Sequence, residues 1–424
     1  MTRPLRHRFF SLQGGRGVRL WRRSIAASAV VGVMGVSTNA APVQALRVDG
    51  TMVQGEWAGC LDASSVNVRT VEGLTKIAFD DLARLSFEAQ SKPPGGQVVF
   101  YLADGGRLYG ELVGGASDAA LTRTALGDGI PLSFQSLAGI QLVRGEEFAK
   151  AEGLFQSALQ ARLPAQDVLV TRGGEDAKSV RGRLETLDGE RGTFAFGERT
   201  RAFQTDKIYG VVFAVGAAKK TAFPVTVELA DGSVVSGSLE RADAERLAVA
   251  TSVGPIVEMK VAEVVNLRIR SPRVAYLSDL TPTGERTEGM LHRPWPVRRD
   301  RSVSARPLSM GGRAFDKGLG VHSRTELDYQ LDRGYESFVA TIGIDDAVRP
   351  AGSVVFRVLG DAKVVFDSGV LTGKDPPRDM KVDVMGVNIL TLVVDYGDEL
   401  DLSDQADWGG ARLLKPAPAG RGRP

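Results

Sequence analysis

A short pattern recurs along the chain and limits what it can fold into. Residues 46–55 read LRVDGTMVQG, residues 98–110 read VVFYLADGGRLYG and residues 225–237 read VTVELADGSVVSG. Each joins an alternating apolar stretch to an Asp-Gly pair, with a glycine six residues after the aspartate: Asp49 and Gly55, Asp104 and Gly110, Asp231 and Gly237. Asp-Gly suits a tight hairpin because both residues tolerate positive φ. The later glycine suits a strand bent so sharply that a side chain would strike the strand opposite.

The second half of each unit recurs as well. KIAFDDLARLSF (76–87), PLSFQSLAGIQL (131–142) and VEMKVAEVVNLRI (257–269) each read as strand, short turn, strand. A degenerate copy spans about 167–214, with Arg-Gly-Gly-Glu-Asp-Ala-Lys in place of the Asp-Gly turn. Four small β-barrel units are therefore expected, over 46–90, 97–145, 165–216 and 223–270. The pattern resembles Sm-like and other SH3-like small barrels. Between the second and third units, residues 146–164 place Phe148, Ala151, Leu154, Phe155, Ala158, Leu159 and Leu163 at three- and four-residue spacing. That predicts an amphipathic helix ending at Pro164, packed on a neighbouring barrel.

Residues 1–45 hold seven arginines and no acids. An apolar run, Ser24 to Val36, follows the arginines, and Val43-Gln44-Ala45 reads as a cleavage site. A cleaved signal peptide is expected, with a retained anchor as the alternative; Arg22-Arg23 raises twin-arginine export beside the general route. Removing the seven arginines takes the formal net charge from +2 to −5. The Sm-like families include RNA binders, but an exported acidic chain lacks the basic surface that phosphate binding needs, so no nucleic-acid partner is expected. The run is short for a membrane span, and no other segment would cross a bilayer after cleavage. Cys60 stands alone, so no internal disulfide can form; it reads as a small buried hydrophobe or a reactive thiol.

Past Ser271-Pro272 the Asp-Gly pattern stops. Val274–Leu280 reads as an opening strand, and from Leu308 short strands follow at close intervals: LDYQL, ESFVATIGI, SVVFRVLG, KVVFDSGV, MKVDVMG, NILTLVVDYG and ARLL. With no long helical period, this predicts an antiparallel β-sandwich. In FDKGLGVHSRTELDYQL (315–331), the glycines suggest a phosphate loop. A phosphate loop needs a helix after it, whereas Thr325, Leu327, Tyr329 and Leu331 alternate with Glu326, Asp328 and Gln330 as in a strand. The tail 416–424 is expected to be disordered.

The ordered motifs from Tyr276-Leu277-Ser278-Asp279 through Lys317-Gly318-Leu319-Gly320-Val321-His322, Phe338 to Asp346 and Val354 to Val358 to Asp407-Trp408 carry a more specific likeness. Residues 272–415 resemble the NPCBM domain, a family related to carbohydrate-binding module family 51. The resemblance implies a galactose-binding-like jelly roll, binding of galactose-containing glycans and, in some members, a structural calcium. Three positions depart from the family pattern: Ala362 where glycine is usual, Ser323 where alanine is usual and Gln405 where histidine is usual.

Catalytic chemistry finds few parts. The chain has three histidines and one cysteine, and no Gly-x-Ser-x-Gly, HExxH or Walker A run. Paired carboxylates of a glycoside hydrolase stay open, because acids are plentiful. A sugar site needs aromatic faces and planar polar groups. Tyr276, His292, Arg293, Trp295, His322 and Trp408 are the candidates. Core packing competes for Trp408, and a framework role competes for His322. Asp345, Asp346, Asp404 and Asp407 are calcium candidates, as oxygen donors in loop-like positions, or solvated turn acids. The expected protein is mainly β: tandem small barrels followed by a galactose-binding-like sandwich. It is exported and non-catalytic and binds a glycan, with envelope proteins as partners of the barrels. An assembly protein and a hydrolase are the alternatives.

Overall fold

The computed structural model describes residues 41–417 apart from 61–63, 91, 95, 116, 216–223, 255, 290–294 and 399–401. The first repeat forms five strands, Pro42–Arg47, Met52–Trp57, Ser65–Thr70, Gly73–Ala78 and Leu82–Phe87, with a 3-10 turn, Phe79–Asp81, before the last. The other three units repeat this order, each with a 3-10 turn before its last strand. Asp49, Asp104 and Asp231 each accept the backbone N–H two residues on, at 2.9–3.0 Å. The glycines that follow them have φ of +91°, +95° and +82°. A Cβ at Gly55, Gly110 or Gly237 would lie 2.1–2.4 Å from a carbonyl oxygen of the adjacent strand. The degenerate unit keeps Gly182 in the same role, 2.1 Å from the Ala195 oxygen.

The units pair in a nested order. The last strands of units one and four lie antiparallel, Leu85 opposite Leu267. Those of units two and three do the same, Ile140 opposite Val211. Units two and four touch through their Asp-Gly hairpins, where Val234 pairs with Arg107. One apolar core runs through all four units. Cys60 is half-buried, bridged to Ala242 of unit four.

Val43-Gln44-Ala45 lies in the middle of a paired strand, with Val43 and Ala45 buried. Residues 1–40 of the expected leader lie outside the described residues. The expected helix over 146–164 is a 3-10 turn, Glu146–Phe148, running into an α-helix, Ala149–Gln160. It packs on units two and three: Phe155 lies edge-on to Tyr209, and Glu152 accepts from Gln141 Nε2 and the Tyr209 hydroxyl.

The last domain is an antiparallel sandwich. One sheet runs Arg298–Arg299, Gly318–His322, Gln405–Leu414, Ser337–Ile344, Arg378–Asp383, and Val274–Tyr276 joins it along Gln405–Leu414. The other runs Gly284–Thr287, Thr325–Gln330, Ile389–Tyr396, Ser353–Gly360, Lys363–Thr372. Phe338, Phe356, Leu392 and Trp408 are among the residues filling the space between them. Gly318–His322 is itself a strand, and Thr325–Gln330 continues the chain in the opposite sheet. Arg273 anchors the sandwich to the first unit, paired with Asp81 there and with Glu336 at 2.8 Å in the sandwich. Arg412 Nε donates to the Val48 carbonyl at 2.7 Å, and Val48 packs with Val339 and Leu414.

Candidate functional site

The strand Gln405–Leu414 sorts the candidates by face. Ala406 and Trp408 belong to the core, so strand alternation turns Gln405 and Asp407 to the outer face. Gln405 stands opposite His322, and Asp407 stands between Gly320 and Gly343 of the neighbouring strands. Those glycines give room for a cover. A Cβ at Gly343 would lie 3.2 Å from Met310 Sδ, and one at Gly320 2.4 Å from the Arg301 oxygen. Met310 lies in the short hairpin Leu308–Met310 and Arg313–Phe315.

At the open end of this face Trp295 stacks on His322, with ring centroids 5.2 Å apart and planes inclined by 14°. Trp295 is 44% exposed. Every other described aromatic side chain is buried or half-buried. His322 is buried, and its Nδ1 lies 2.8 Å from the Ser323 carbonyl oxygen. A carbonyl can only accept, so Nδ1 carries the proton. The imidazole is thus held as a support for the indole.

Several buried polar atoms in this region have no hydrogen-bond partner among the described residues: Gln405 Oε1, both Asp407 carboxylate oxygens and Arg349 Nη1. Burial, followed by the neighbouring Asp345 and Asp346 carboxylates, pushes Asp407 up to about 9. A protonated Asp407 can donate to Asp345, whereas an ionised one faces two neighbouring carboxylates with only the Ser309 backbone N–H to offset them.

The expected site residues divide accordingly. Trp295 and His322 come together. Trp408 does not join them: it is fully buried, edge-on to Phe356 at 4.9 Å, with no face for a sugar. Tyr276 pairs with Arg412, seven positions along the strand from Gln405, roughly 23 Å away at a strand's rise per residue. His292 and Arg293 lie outside the described residues. Of the four acids, Asp404 accepts from Ser353 N (2.9 Å) and Ser323 Oγ (2.6 Å). Asp346 accepts from Gly311 N (2.6 Å), Gly312 N (2.9 Å) and the Ser309 hydroxyl. These two brace loops. Asp345 Oδ1 accepts from Ala347 N at 2.8 Å, and Asp407 lies beside it. No group of three or more His, Cys, Asp or Glu side chains able to hold a metal occurs among the described residues. The sequence reading passed over Gln405 and Arg349 as site residues. An amide at the start of a strand carries no signal until its cross-strand neighbour is known.

Comparison with known proteins decides the class of this domain. The NPCBM/NEW2 family model matches residues 273–414. The sandwich is an NPCBM domain, of the carbohydrate-binding type. A Renibacterium salmoninarum protein named "Putative endo-alpha-N-acetylgalactosaminidase" is 31% identical over 150 residues, 34% of this chain and 10% of the relative. Alpha-1,3-galactosidase B of Akkermansia muciniphila is 28% identical over 155 residues, 36% of this chain and 18% of the relative. The chain thus spans under a fifth of either relative, and both match over the NPCBM domain alone. A CBM51 from Clostridium perfringens GH95, solved with methyl-galactose, is 30% identical, covering 33% of this chain and 99% of that one, with a TM-score of 0.31. No helix among the described residues is long and apolar enough to cross a membrane.

Proposed function

We propose that this protein is an exported, non-catalytic glycan-binding protein whose NPCBM domain takes a galactose-type sugar on Trp295. The carrying observation is the exposed indole stacked on a buried imidazole. An indole face stacks on the apolar face of a pyranose. The galactose class follows the names of the two glycosidase relatives. Asp407 and Asp345 are the carboxylates that would hold a structural calcium, whose charge would offset two buried acids. The barrels would serve as a base that fixes the sandwich through Arg273 and Arg412, and as contacts for envelope proteins.

Calorimetric titration of the full chain with methyl-galactoside, together with a glycan array, tests this. Binding at millimolar or tighter affinity, weakened about tenfold or more in Trp295→Ala, is expected, since stacking on an aromatic ring contributes on the order of 1 kcal/mol or more. Silence across the array would favour the assembly reading, and release of reducing sugar by the chain would favour a hydrolase.

A further inference from the structure

Residues 298–306, just past Trp295, hold four arginines, Arg298, Arg299, Arg301 and Arg306, and a single acid, Asp300. All four arginines are exposed. Asp300 is committed elsewhere: it accepts from Lys317 Nζ at 2.9 Å and from Gly318 N at 3.1 Å. None of the four arginines forms an ion pair among the described residues, whereas Arg286, Arg324 and Arg357 along the other sheet each do. The ladder places two of the four beside the stacked rings. Leu319 and Val321 belong to the core, so Gly320 and His322 face outward. Arg298 stands opposite Gly320 and shares that outward face. It is therefore a diagonal neighbour of His322, at a spacing of roughly 7–8 Å that a long side chain spans. The loop that follows folds back over the same glycine, since a Cβ at Gly320 would lie 2.4 Å from the Arg301 oxygen. Arg298 and Arg301 thus both border the imidazole on which the exposed indole rests.

We infer that the proposed glycan site takes an anionic sugar, a galactose-type glycan bearing a sulfate ester or a carboxylate, with Arg298 and Arg301 donating to the negative group while Trp295 holds the ring. This rests on the glycan-binding reading above. A guanidinium presents a planar fork of donors that fits paired anionic oxygens. Here no carboxylate of the chain competes for that fork, and the exposed side chains are open to a ligand lying on the indole. The two contacts divide the work: the indole face suits many pyranoses, and the charge selects among them.

The full chain is titrated with methyl galactoside, its monosulfates, a sialylated methyl galactoside and inorganic sulfate, at low and at high salt. The quantity read is the ratio of affinities, charged sugar over neutral sugar, within each protein. In wild type at least one charged sugar is expected to bind about tenfold or more tightly than the neutral one, as a charge-assisted hydrogen bond would give. Salt should shrink that ratio. The double variant Arg298→Gln with Arg301→Gln should bring it close to one. Arg181→Gln with Arg199→Gln, an equal loss of charge at two exposed positions of the third unit, should keep it. Whichever charged sugar gains identifies the anion. A ratio near one in wild type, a ratio that survives the loss of Arg298 and Arg301, or inorganic sulfate binding as tightly as the charged sugar overturns the inference and leaves the glycan reading standing. If wild type binds none of the sugars, both fall.

Discussion

The Asp-Gly hairpins of the repeat units and the outer face of the sandwich treat their acids in opposite ways. Asp49, Asp104 and Asp231 each close a bond to the turn they sit in. Asp407 is more deeply buried than any of them, and its carboxylate oxygens lack a well-formed hydrogen bond. A carboxylate that receives a good backbone N–H bond stabilises the folded chain in its charged form, and one buried beside other carboxylates opposes folding in that form. The repeat is thus locally self-consistent, whereas the sandwich keeps an acid that burial and its Asp345 and Asp346 neighbours hold in the protonated form.

The repeat breaks hardest at its crowded glycines. Gly110 faces the Arg123 oxygen at 2.1 Å from the place of its missing Cβ. Valine there must push apart two paired strands of unit two, and that unit shares its core with the others. We expect Gly110→Val to cost more than about 4 kcal/mol and to lower the thermal midpoint sharply or prevent folding. A midpoint within a degree or two of wild type would show that the strand bend does not depend on this glycine.

Asp407 gives the next largest effect, and its sign is the opposite of what a bonded acid gives. In the folded chain its proton is held up to about 9, whereas an unfolded aspartate releases it near 3.9. The folded state therefore binds more protons between these values, and stability falls as pH rises through that window. In chelator, Asp407→Asn should remove this slope and gain about 2–4 kcal/mol on wild type between pH 6 and 9, read from denaturant midpoints. Calcium should raise the wild-type melting temperature and leave the asparagine variant unmoved, since a ligand of the native state stabilises it. A variant that loses stability at every pH would instead mean that Asp407 is satisfied in its charged form.

The different legibility of the two regions has the same cause. The repeat was readable because its determinants are local: Asp49, Gly50 and Gly55 state a turn and a bend within seven residues. The alternation from Thr325 to Gln330 likewise named a strand and its buried face. The nested pairing of the units was not readable, because Leu85 meets Leu267 across most of the barrel region and nothing local encodes the partner. The site was half readable. Trp295 and His322 stood out by residue type, but their stacking, the burial of Trp408 and the orphaned Gln405 carbonyl depend on which strands become neighbours. Val43-Gln44-Ala45 fits two readings at once, because small and apolar residues suit a peptidase and a buried strand alike.

The smallest effect sharpens the contrast most cleanly. Asp104 is exposed and accepts from the Gly106 N–H at 2.9 Å. Asp104→Ala leaves that N–H to water and loosens the turn, at a cost of about 0.5–1 kcal/mol. Asp104→Asn keeps an acceptor oxygen and the tolerance for the turn geometry, so it should stay within a few tenths of wild type. The same aspartate-to-asparagine exchange is thus neutral at the hairpin and stabilising at Asp407 in neutral or alkaline solution. Urea midpoints of the two variants at pH 8 in chelator measure the difference directly. Equal shifts at both positions would mean that burial beside other carboxylates does not set Asp407 apart from the turn acids.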